Sequence, residues 1–379
     1  MKAVQVQDRK VRYAVVGVGW ISQAQFLPGV EHTGNSEVVA LVTGHAEKAA
    51  KVGEKYGIGE EVYLYEEFDQ LLTSGKIDAV YLATPNDDHV DLAVQTLNVG
   101  VHLLLEKPMS TSVAECERIL AAQEGSGAKL MIAYRLHHEP GTLRAIERVR
   151  KGDLGRIVAF NSSFSQHVHG QNHRARHGYW GGPVPDMGVY CINAARNLFT
   201  AEPEEVVAAG VQTDERFNFQ DTVSVTMKFP GPRIASVAPR IASFVVTYNG
   251  GDVDDYRIIG EKGDLFSQPA YQVGSRIEHV VTIGTRKTSE TFSATDHFGG
   301  ELKYFSNCIL NNHEPEADGE EGLLDVRVLE AVEQSLQTGK PVKLLPYDRK
   351  RRPAEQQVEK LSPHGKVELI DAHQPSKGQ

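Results

Sequence analysis

The chain has few cysteines and no long hydrophobic run. Cys116, Cys191 and Cys308 are the three cysteines among 379 residues, and they stand far apart. An odd number at this spacing forms neither a disulfide framework nor a paired metal motif, so we expect buried free thiols. No stretch approaches the roughly 18 apolar residues of a membrane-spanning helix. The N-terminus lacks the apolar core of a secretion signal. We therefore expect a cytoplasmic protein with no membrane partner.

Acidic residues outnumber basic ones. The formal net charge is −10, and the one dense basic run is Arg349–Arg352. Because nucleic-acid binding depends on clustered lysine and arginine, we expect no nucleic-acid partner. The 40% apolar and 24% charged residues are typical of a globular protein. A length of 379 residues exceeds what one hydrophobic core usually supports, so more than one domain is predicted.

The first third alternates short apolar runs with helical patterns, the order that produces a doubly wound parallel sheet. This predicts an α/β Rossmann domain over residues 1–133. The predicted strands are Val11–Val16, Glu37–Val42, Ala79–Ala83, His102–Leu105 and Lys129–Ala133. The predicted helices are Ser22–Gln25 running towards Pro28, Ala46–Tyr56, Phe68–Leu72, His89–Asn98 and Val113–Glu124, the last with Ser112 as N-cap and Glu115 in the capping-box position.

After Tyr134 the pattern changes to strands with hairpin signals, which predicts an α+β domain over residues 134–345 with a large, mostly antiparallel open sheet. The predicted strands are Ile157–Phe164, Glu205–Val211, Asp221–Phe229, Ile234–Ala238, Ala242–Tyr248 and Asp255–Ile259. Pro230-Gly231-Pro232 and Asn249-Gly250-Gly251 are the expected hairpin turns. Helices are predicted at Gly141–Lys151, Gly300–Asn311 and Gly322–Thr338. Residues 346–379 are polar and proline-punctuated, which indicates an arm or partly ordered tail.

A glycine turn follows the first strand. In Gly17-Val18-Gly19-Trp20-Ile21-Ser22, Gly17 would make the tight turn, and Gly19 would let the backbone approach a pyrophosphate at the helix N-terminus. Ser22 stands where a third glycine or alanine is usual, and it is small enough for close packing. The order strand, turn, helix is the context that a dinucleotide-binding fingerprint requires.

The end of the second strand indicates which dinucleotide binds. An acidic residue there would hold the ribose hydroxyls of NAD, but the chain reads Thr43-Gly44-His45-Ala46-Glu47-Lys48. A hydroxyl, an imidazole and an ammonium suit a 2′-phosphate, so NADP is predicted and NAD is the less favoured cofactor. The alternative is an ordinary helix N-terminus with Thr43 as cap and Lys48 in solvent.

Two polar strings follow the next strands, Thr84-Pro85-Asn86-Asp87-Asp88-His89 and Glu106-Lys107-Pro108. Both should face the ligand crevice beyond the carboxyl ends of the strands. With LVTGHAEKA (41–49), AYRLHHEP (133–140), DMGVYCINAARNLF (186–199) and EEGLLDVRVLEA (320–331), these strings resemble the glucose–fructose oxidoreductase, inositol dehydrogenase and rhizopine catabolism (Gfo/Idh/MocA) family. The resemblance covers roughly residues 10–340 and is nearest to the glucose–fructose oxidoreductase branch.

The resemblance implies a catalytic set of Lys107, Asp186 and Tyr190. Lys107 matches the family's active-site lysine, and Tyr190 occupies the position of the proton carrier, which is tyrosine in the named branch and histidine in most members. Asp186 and Tyr190, four residues apart, should share a helical face. A nearby ammonium would help the phenol to release its proton. Arg135 resembles a substrate-pocket position, or else it forms a structural salt bridge at the domain junction.

The full set of candidates is larger. Those for cofactor binding are Gly17, Gly19, Trp20, Ile21, Thr43, Gly44, His45, Lys48, Thr84, Pro85, Asn86, His89, Glu106, Lys107 and Arg135, and those for substrate binding are Lys107, Arg135, Asp186 and Tyr190. His167, His169, His173 and His177 could be combined into a zinc site, but we expect a variable loop over the substrate pocket and no metal.

The nucleotide-site residues and the resemblance together imply an NADP-dependent oxidoreductase that moves a hydride to or from a carbon of an aldose or a related ketose or polyol. A second possibility is a sugar transhydrogenase that holds its NADP(H) tightly. Less favoured are an NAD-assisted glycoside hydrolase and a non-catalytic sugar sensor. The resemblance also implies a homodimer or homotetramer through the open face of the second sheet. The alternating apolar residues of Ala242–Tyr248 would permit this contact, and a covered core face would show the same alternation.

Overall fold

The computed structural model describes residues 9–168, 177–231 and 238–372. In the first part of the chain, the described strands are all parallel and have the order β3-β2-β1-β4-β5-β6. They are β1 (Val11–Val16), β2 (Ser36–Val42), β3 (Val62–Tyr63), β4 (Ala79–Leu82), β5 (His102–Leu105) and β6 (Leu130–Ile132). The order reverses between β1 and β4, which is the switch point where such sheets bind nucleotides. The predicted Rossmann sheet is confirmed, and β3 is an addition to it.

Four helices of this part begin and end close to the predicted residues, whereas the first lies beyond the predicted Ser22–Gln25 and extends to Thr33. The helices are α1 (Leu27–Thr33), α2 (Ala46–Lys55), α3 (Phe68–Leu72), α4 (His89–Asn98) and α5 (Val113–Ser126). A turn of π-helix, Ser22–Phe26, precedes α1. The backbone N–H of Glu115 donates to the Ser112 hydroxyl at 3.2 Å. The predicted cap of α5 is therefore present, and it satisfies one of the orphan donors at that helix end.

The second sheet has the order β14-β13-β12-β11-β7-β10-β9-β8-β15 in the described residues. Its strands are β7 (Ile157–His167), β8 (Glu205–Val211), β9 (Thr222–Phe229), β10 (Arg240–Thr247), β11 (Asn249–Gly260), β12 (Gly263–Ser267), β13 (Ile277–Ile283), β14 (Arg286–Phe292) and β15 (Val342–Lys343). All neighbours are antiparallel except β7 and β10, which are parallel. The predicted large, mostly antiparallel sheet is confirmed.

Two details of this sheet differ from the prediction. β9 and β10 are antiparallel neighbours, as a turn at Pro230 requires, but β10 and β11 do not pair. Both pair with β7, on opposite sides, so the chain at Asn249-Gly250-Gly251 crosses the end of β7 and makes no hairpin. The predicted strand Ile234–Ala238 lies almost wholly outside the described residues. The strands β12, β13 and β14 were not predicted, because apolar and polar residues alternate only weakly in them and many of their residues are polar.

Four helices complete this part of the described chain: α6 (Pro140–Arg150), α7 (Val189–Phe199), α8 (His297–Leu310) and α9 (Gly319–Thr338). Successive side chains of β10 point to opposite faces of the sheet, one buried and one exposed. Ala242, Phe244 and Val246 are buried, whereas Ile241 and Val245 are 49% and 42% exposed. The alternating residues proposed for subunit contact therefore cover the core, and the open face carries the other set.

Residues 346–372, here called the C-terminal strap, contain one turn of 3-10 helix at Glu355–Gln357 and otherwise run along the protein without regular structure. The Arg349 side chain is fully buried and paired with Asp318 and Glu321. Further on, Ile370 is hydrogen-bonded to Gln23. The strap thus contacts α9 and the helix behind the glycine turn. Cys116, Cys191 and Cys308 are buried free thiols, and in the described residues no helix is long and apolar enough to cross a membrane.

Candidate active site

The glycine turn lies at the switch point of the first sheet. Gly17 has φ +90°, and a Cβ there would be 2.5 Å from the Ala83 carbonyl oxygen, so this position excludes any side chain. Nothing lies within 4 Å of a Cβ built on Gly19. The Ser22 hydroxyl donates to the Gly17 carbonyl at 2.6 Å. Ser22 therefore braces the turn, and the open space beside Gly19 suits a bound diphosphate.

Trp20 and Ile21 begin the helix after this turn, and both are half-buried. Gln23 follows one turn later, and its side-chain amide donates to the Val18 carbonyl at 3.2 Å. Backbone N–H groups at such a helix start are the usual ligands of a pyrophosphate. The structure thus places Trp20 and Ile21 where the sequence predicted them.

The loop after β2 carries the candidates for the 2′-phosphate. Thr43 is buried, and its N–H donates to the Tyr63 carbonyl at 3.1 Å. His45 is the exposed N-cap residue of α2 and makes no side-chain cap bond. Gly44 lies beside the Tyr65 ring. Burial lowers the pKa of Lys48, and the carboxylate of Asp371 opposes this shift. Because His45 occupies the cap position, the alternative with Thr43 as cap does not describe this helix.

The loop after β4 connects the two parts of the site. Asn86 donates to the Trp180 carbonyl at 2.9 Å. His89 is fully buried, with its ring nitrogens 3.0 Å from the Pro108 carbonyl and 3.2 Å from the Thr84 carbonyl. Burial lowers its pKa, and the hydrogen bonds to these carbonyls oppose that shift. His89 thus lies between the two loops that carry Thr84 and Pro108. The buried Thr84 hydroxyl has no partner among the described residues, which leaves it available to a ligand beside Pro85.

Glu106 and Lys107 follow β5. The carboxylate of Glu106 accepts from the Tyr81 hydroxyl at 2.7 Å, and burial raises its pKa. The Lys107 ammonium donates to the Asp186 carbonyl at 2.9 Å and lies 3.4 Å from the Asp186 carboxylate. This pair is part-buried, with side chains 12% and 18% exposed. A lysine from the first sheet and an aspartate from the second part therefore meet at one place.

The Tyr190 ring lies beside two cations. Lys107 Nζ is 4.9 Å and the Arg135 guanidinium carbon 4.8 Å from the ring centroid. The ring also contacts Phe164 and Tyr271, with centroids 6.0 and 6.2 Å apart. Both cations therefore lie within cation–π distance of the Tyr190 ring.

Arg135 is buried beneath Tyr190. It donates to the Tyr271 carbonyl and, at 3.1 Å, to His297 Nδ1. His297 accepts this bond because burial lowers its pKa to about 3, so that its ring is neutral. At 4% exposure, Arg135 makes its contact with the site through the Tyr190 ring. In the part of the chain that the structure describes, no carboxylate forms an ion pair with Arg135, and its guanidinium lies against the Tyr190 ring.

Asp186 and Tyr190 do not lie on one regular α-helix. Asp186 is in a π-helical turn, Val184–Gly188, that precedes α7, whereas Tyr190 is the second residue of α7. The wider turn changes the angle between the two side chains from that of the expected α-helical face. Single π-turns of this kind are frequent at functional sites.

Sequence reasoning missed two tyrosines that organise the site. The fully buried Tyr248 donates to the Asp186 carboxylate at 2.9 Å, and the Gly181 and Gly182 carbonyls are within 3.2 Å of its hydroxyl. Tyr271 packs on Tyr190 and shares a 2.8 Å hydrogen bond with Ser162. Tyr248 ends a predicted strand, so an aromatic at a strand end beside the site was the available signal.

The histidine-rich stretch is only partly described, because His169 and His173 lie outside the described residues. His177 is 3.7 Å from the Asp87 carboxylate. Within residues 9–168, 177–231 and 238–372, no three histidine, cysteine, aspartate or glutamate side chains are close enough together to hold a metal ion.

Comparison with known proteins identifies the family. The model of the oxidoreductase family with an NAD-binding Rossmann fold, Gfo/Idh/MocA, matches residues 11–134, and that of the Gfo/Idh/MocA C-terminal domain matches residues 142–266. The chain belongs to the Gfo/Idh/MocA oxidoreductase family. This confirms the resemblance on which the site prediction depended, including its assignment as an enzyme.

The most similar relatives include sugar oxidoreductases. A crystal structure of aldose–aldose oxidoreductase from Caulobacter crescentus has a TM-score of 0.82 and 32% identity, covering 89% of this chain and 100% of that one. D-xylose 1-dehydrogenase [NADP(+)] from Haloarcula marismortui is 29% identical, covering 89% of this chain and 94% of its own length. A 3-ketoreductase from Actinomadura kijaniata in complex with NADP, at 23% identity and a TM-score of 0.76, shares the fold.

Proposed function

We propose that this protein is an NADP-dependent sugar oxidoreductase that interconverts an alcohol and a carbonyl carbon of an aldose, ketose or polyol. The observation that supports this most directly is the Lys107 ammonium, bonded to Asp186 and 4.9 Å from the Tyr190 ring centroid. These groups belong to the edge where the carboxyl ends of β1, β4 and β5 meet. NADP is proposed from the residues after β2 and from the xylose dehydrogenase relative, whose name specifies NADP(+).

Each site residue then has a defined task. NADP, when bound, supplies the hydride acceptor, and its reduced form supplies the hydride donor. In oxidation the sugar C–H bond releases a hydride and the O–H bond releases a proton, so the carbon becomes a carbonyl. Tyr190 accepts that proton in its phenolate form. Before the proton arrives, Lys107 and Arg135 stabilise the negative charge on the phenolate oxygen. Asp186 keeps Lys107 in place and accepts a hydrogen bond from Tyr248.

A transhydrogenase reaction is the second candidate, because the Caulobacter relative is named an aldose–aldose oxidoreductase. Such an enzyme oxidises one aldose and reduces another, so its nicotinamide returns to the starting state.

The proposed contact between copies in a homodimer or homotetramer is the open side of the second sheet. Four apolar side chains on it are between 38% and 49% exposed: Val158, Val207, Ile241 and Val245. The mass of the particle in analytical ultracentrifugation tests this contact.

A panel of aldoses and ketoses, assayed with NADP and NAD by the absorbance of the reduced nicotinamide, tests the proposal. Net formation of NADPH from a single aldose is the expected result, with NAD at least tenfold less effective. Nucleotide that co-purifies with the chain, combined with turnover only when two sugars are present, would favour the transhydrogenase. No redox change with any sugar and either nucleotide would contradict both reactions.

A further inference from the structure

The end of the C-terminal strap is attached to the helix behind the glycine turn. Gln23 is fully buried, and its side-chain amide donates to the Ile370 carbonyl at 2.9 Å and accepts from the Ile370 N–H at 2.8 Å. The same amide nitrogen lies 3.2 Å from the Val18 carbonyl. One buried glutamine therefore joins the glycine turn to the strap through three hydrogen bonds, a stronger attachment than a surface ion pair provides.

This attachment places Asp371 against α2. The Asp371 carboxylate is 3.7 Å from Lys51 Nζ and interacts electrostatically with Lys48. One helical turn beyond Lys51, Lys55 donates to the Glu368 carbonyl. The lysines are three and four residues apart, so they share the face of α2 that meets the strap.

Lys48 is also the residue proposed to bind the 2′-phosphate of NADP. A phosphate monoester carries roughly −1.5 to −2 charges at neutral pH. A carboxylate and a phosphate about 4 Å apart repel each other by about 1 kcal/mol or more, even at the dielectric constant of water. The two anions would therefore compete for the same cations.

We propose that Asp371 determines nucleotide specificity, because its carboxylate competes with the 2′-phosphate of NADP for Lys48 and Lys51 while leaving NAD unaffected. The inference rests on the proposed function, since it requires the 2′-phosphate to lie beside Lys48. Asp371 thus supplies to the nucleotide site a charge that opposes NADP. It comes from the other end of the chain, 323 positions beyond Lys48.

The charge of Asp371 can be removed without detaching the strap. The side chains of Lys51 and Asp371 are 61% and 65% exposed, and exposed ion pairs contribute little to stability. The hydrogen bonds of Gln23 hold the strap through the backbone of Ile370, which an Asp371→Asn substitution leaves intact. Glu368→Gln is the matched control, because it removes the same charge from an exposed residue of the same strap.

Calorimetric titration of the full chain with 2′,5′-ADP and with 5′-AMP tests the competition. We expect Asp371→Asn to bind 2′,5′-ADP about three- to tenfold more tightly than the wild type, because about 1 kcal/mol of repulsion is removed. Binding of 5′-AMP should be unchanged, and Glu368→Gln should behave like the wild type. In roughly 1 M salt, where the Debye length is about 3 Å, the gain should disappear.

Other outcomes would separate the two proposals. In one of them the wild type prefers 2′,5′-ADP over 5′-AMP while Asp371→Asn leaves that preference unchanged or reduces it. This result would overturn the proposed competition but would retain the NADP site. Equal affinity for the two nucleotides in both proteins would overturn the 2′-phosphate site and the competition together. An equal gain in Glu368→Gln would show a general charge effect and would overturn the role of Asp371.

Discussion

Two groups of charged side chains differ in how completely their charges are compensated. Arg196 is fully buried and contacts the carboxylates of Glu202, Glu321 and Asp325, all with side chains at most 4% exposed. Lys107 and Asp186 are 12% and 18% exposed and border the crevice. The first set, here called the closed group, is sealed from solvent, whereas the second, here called the half-open group, is partly open to it.

The electrostatic consequences differ in the same way. Burial acts to raise the pKa of Glu321, but Arg196 and Arg349 outweigh it and lower the value to about 2. Glu321 is therefore ionised throughout the physiological range and has no proton to transfer. A buried carboxylate that is surrounded by arginines is held in its ionised form. Acid–base catalysis instead requires a group that can gain and lose a proton.

The largest expected effect is at Tyr190, whose ring lies beside the half-open group. Tyr190→Phe removes the proton-accepting oxygen and keeps the ring that packs on Phe164 and Tyr271, so kcat should fall by about 10²–10⁴-fold. The Kd for NADP should change little. Steady-state kinetics with the best sugar of the panel and a fluorescence titration of NADPH measure the two quantities. A variant with more than about a tenth of the wild-type kcat would contradict the assigned role.

The closed group should respond in stability. Arg196→Met leaves three buried carboxylates without their shared cation, and we expect the free energy of unfolding to fall by about 3–5 kcal/mol. Urea denaturation followed by circular dichroism measures it. Arg216→Met is the control, because Arg216 pairs with Asp214 at the exposed surface, and its stability should equal that of the wild type. A stable Arg196→Met protein with impaired turnover would reverse the distinction between the groups.

The smallest expected effect comes from Tyr248, which holds the Asp186 carboxylate of the half-open group by a hydrogen bond. Tyr248→Phe removes the 2.9 Å hydrogen bond to the Asp186 carboxylate, so kcat/KM should fall about tenfold, as the loss of a bond to a charged group predicts. Tyr13→Phe is the matched control: its buried hydroxyl is bonded to Ser306, remote from the site, so kcat/KM should stay at the wild-type value. Equal losses in the two variants would indicate a structural effect of Tyr248.

Local patterns predicted the site residues that follow parallel strands. Gly17, Thr43, Thr84 and Lys107 each follow a short apolar strand, and the carboxyl ends of parallel strands share one edge. The positions of those four residues could therefore be inferred from periodicity and turn signals alone. The same holds for the Ser112 cap, because capping depends on residues three positions apart.

The residues from the second part were less predictable. Arg135 follows β6, yet it lies beneath Tyr190 because Tyr271 and His297, more than 130 positions away in the chain, accept its hydrogen bonds. Tyr248 reaches Asp186 because the chain crosses the end of β7 after β10. No local pattern encodes these contacts, since the partners lie far apart along the chain.

The amino-acid sequence by itself determined the parallel sheet and the glycine turn, because these depend on spacings of two to about six residues. The catalytic set was predicted from the resemblance to the family. Only the tertiary structure decided that Arg135 supports the Tyr190 ring and that Asp371 lies beside Lys51. The physical reason is that both contacts join segments whose separation along the chain leaves no periodic signal. They form only when long-range packing and buried hydrogen bonds bring those segments together.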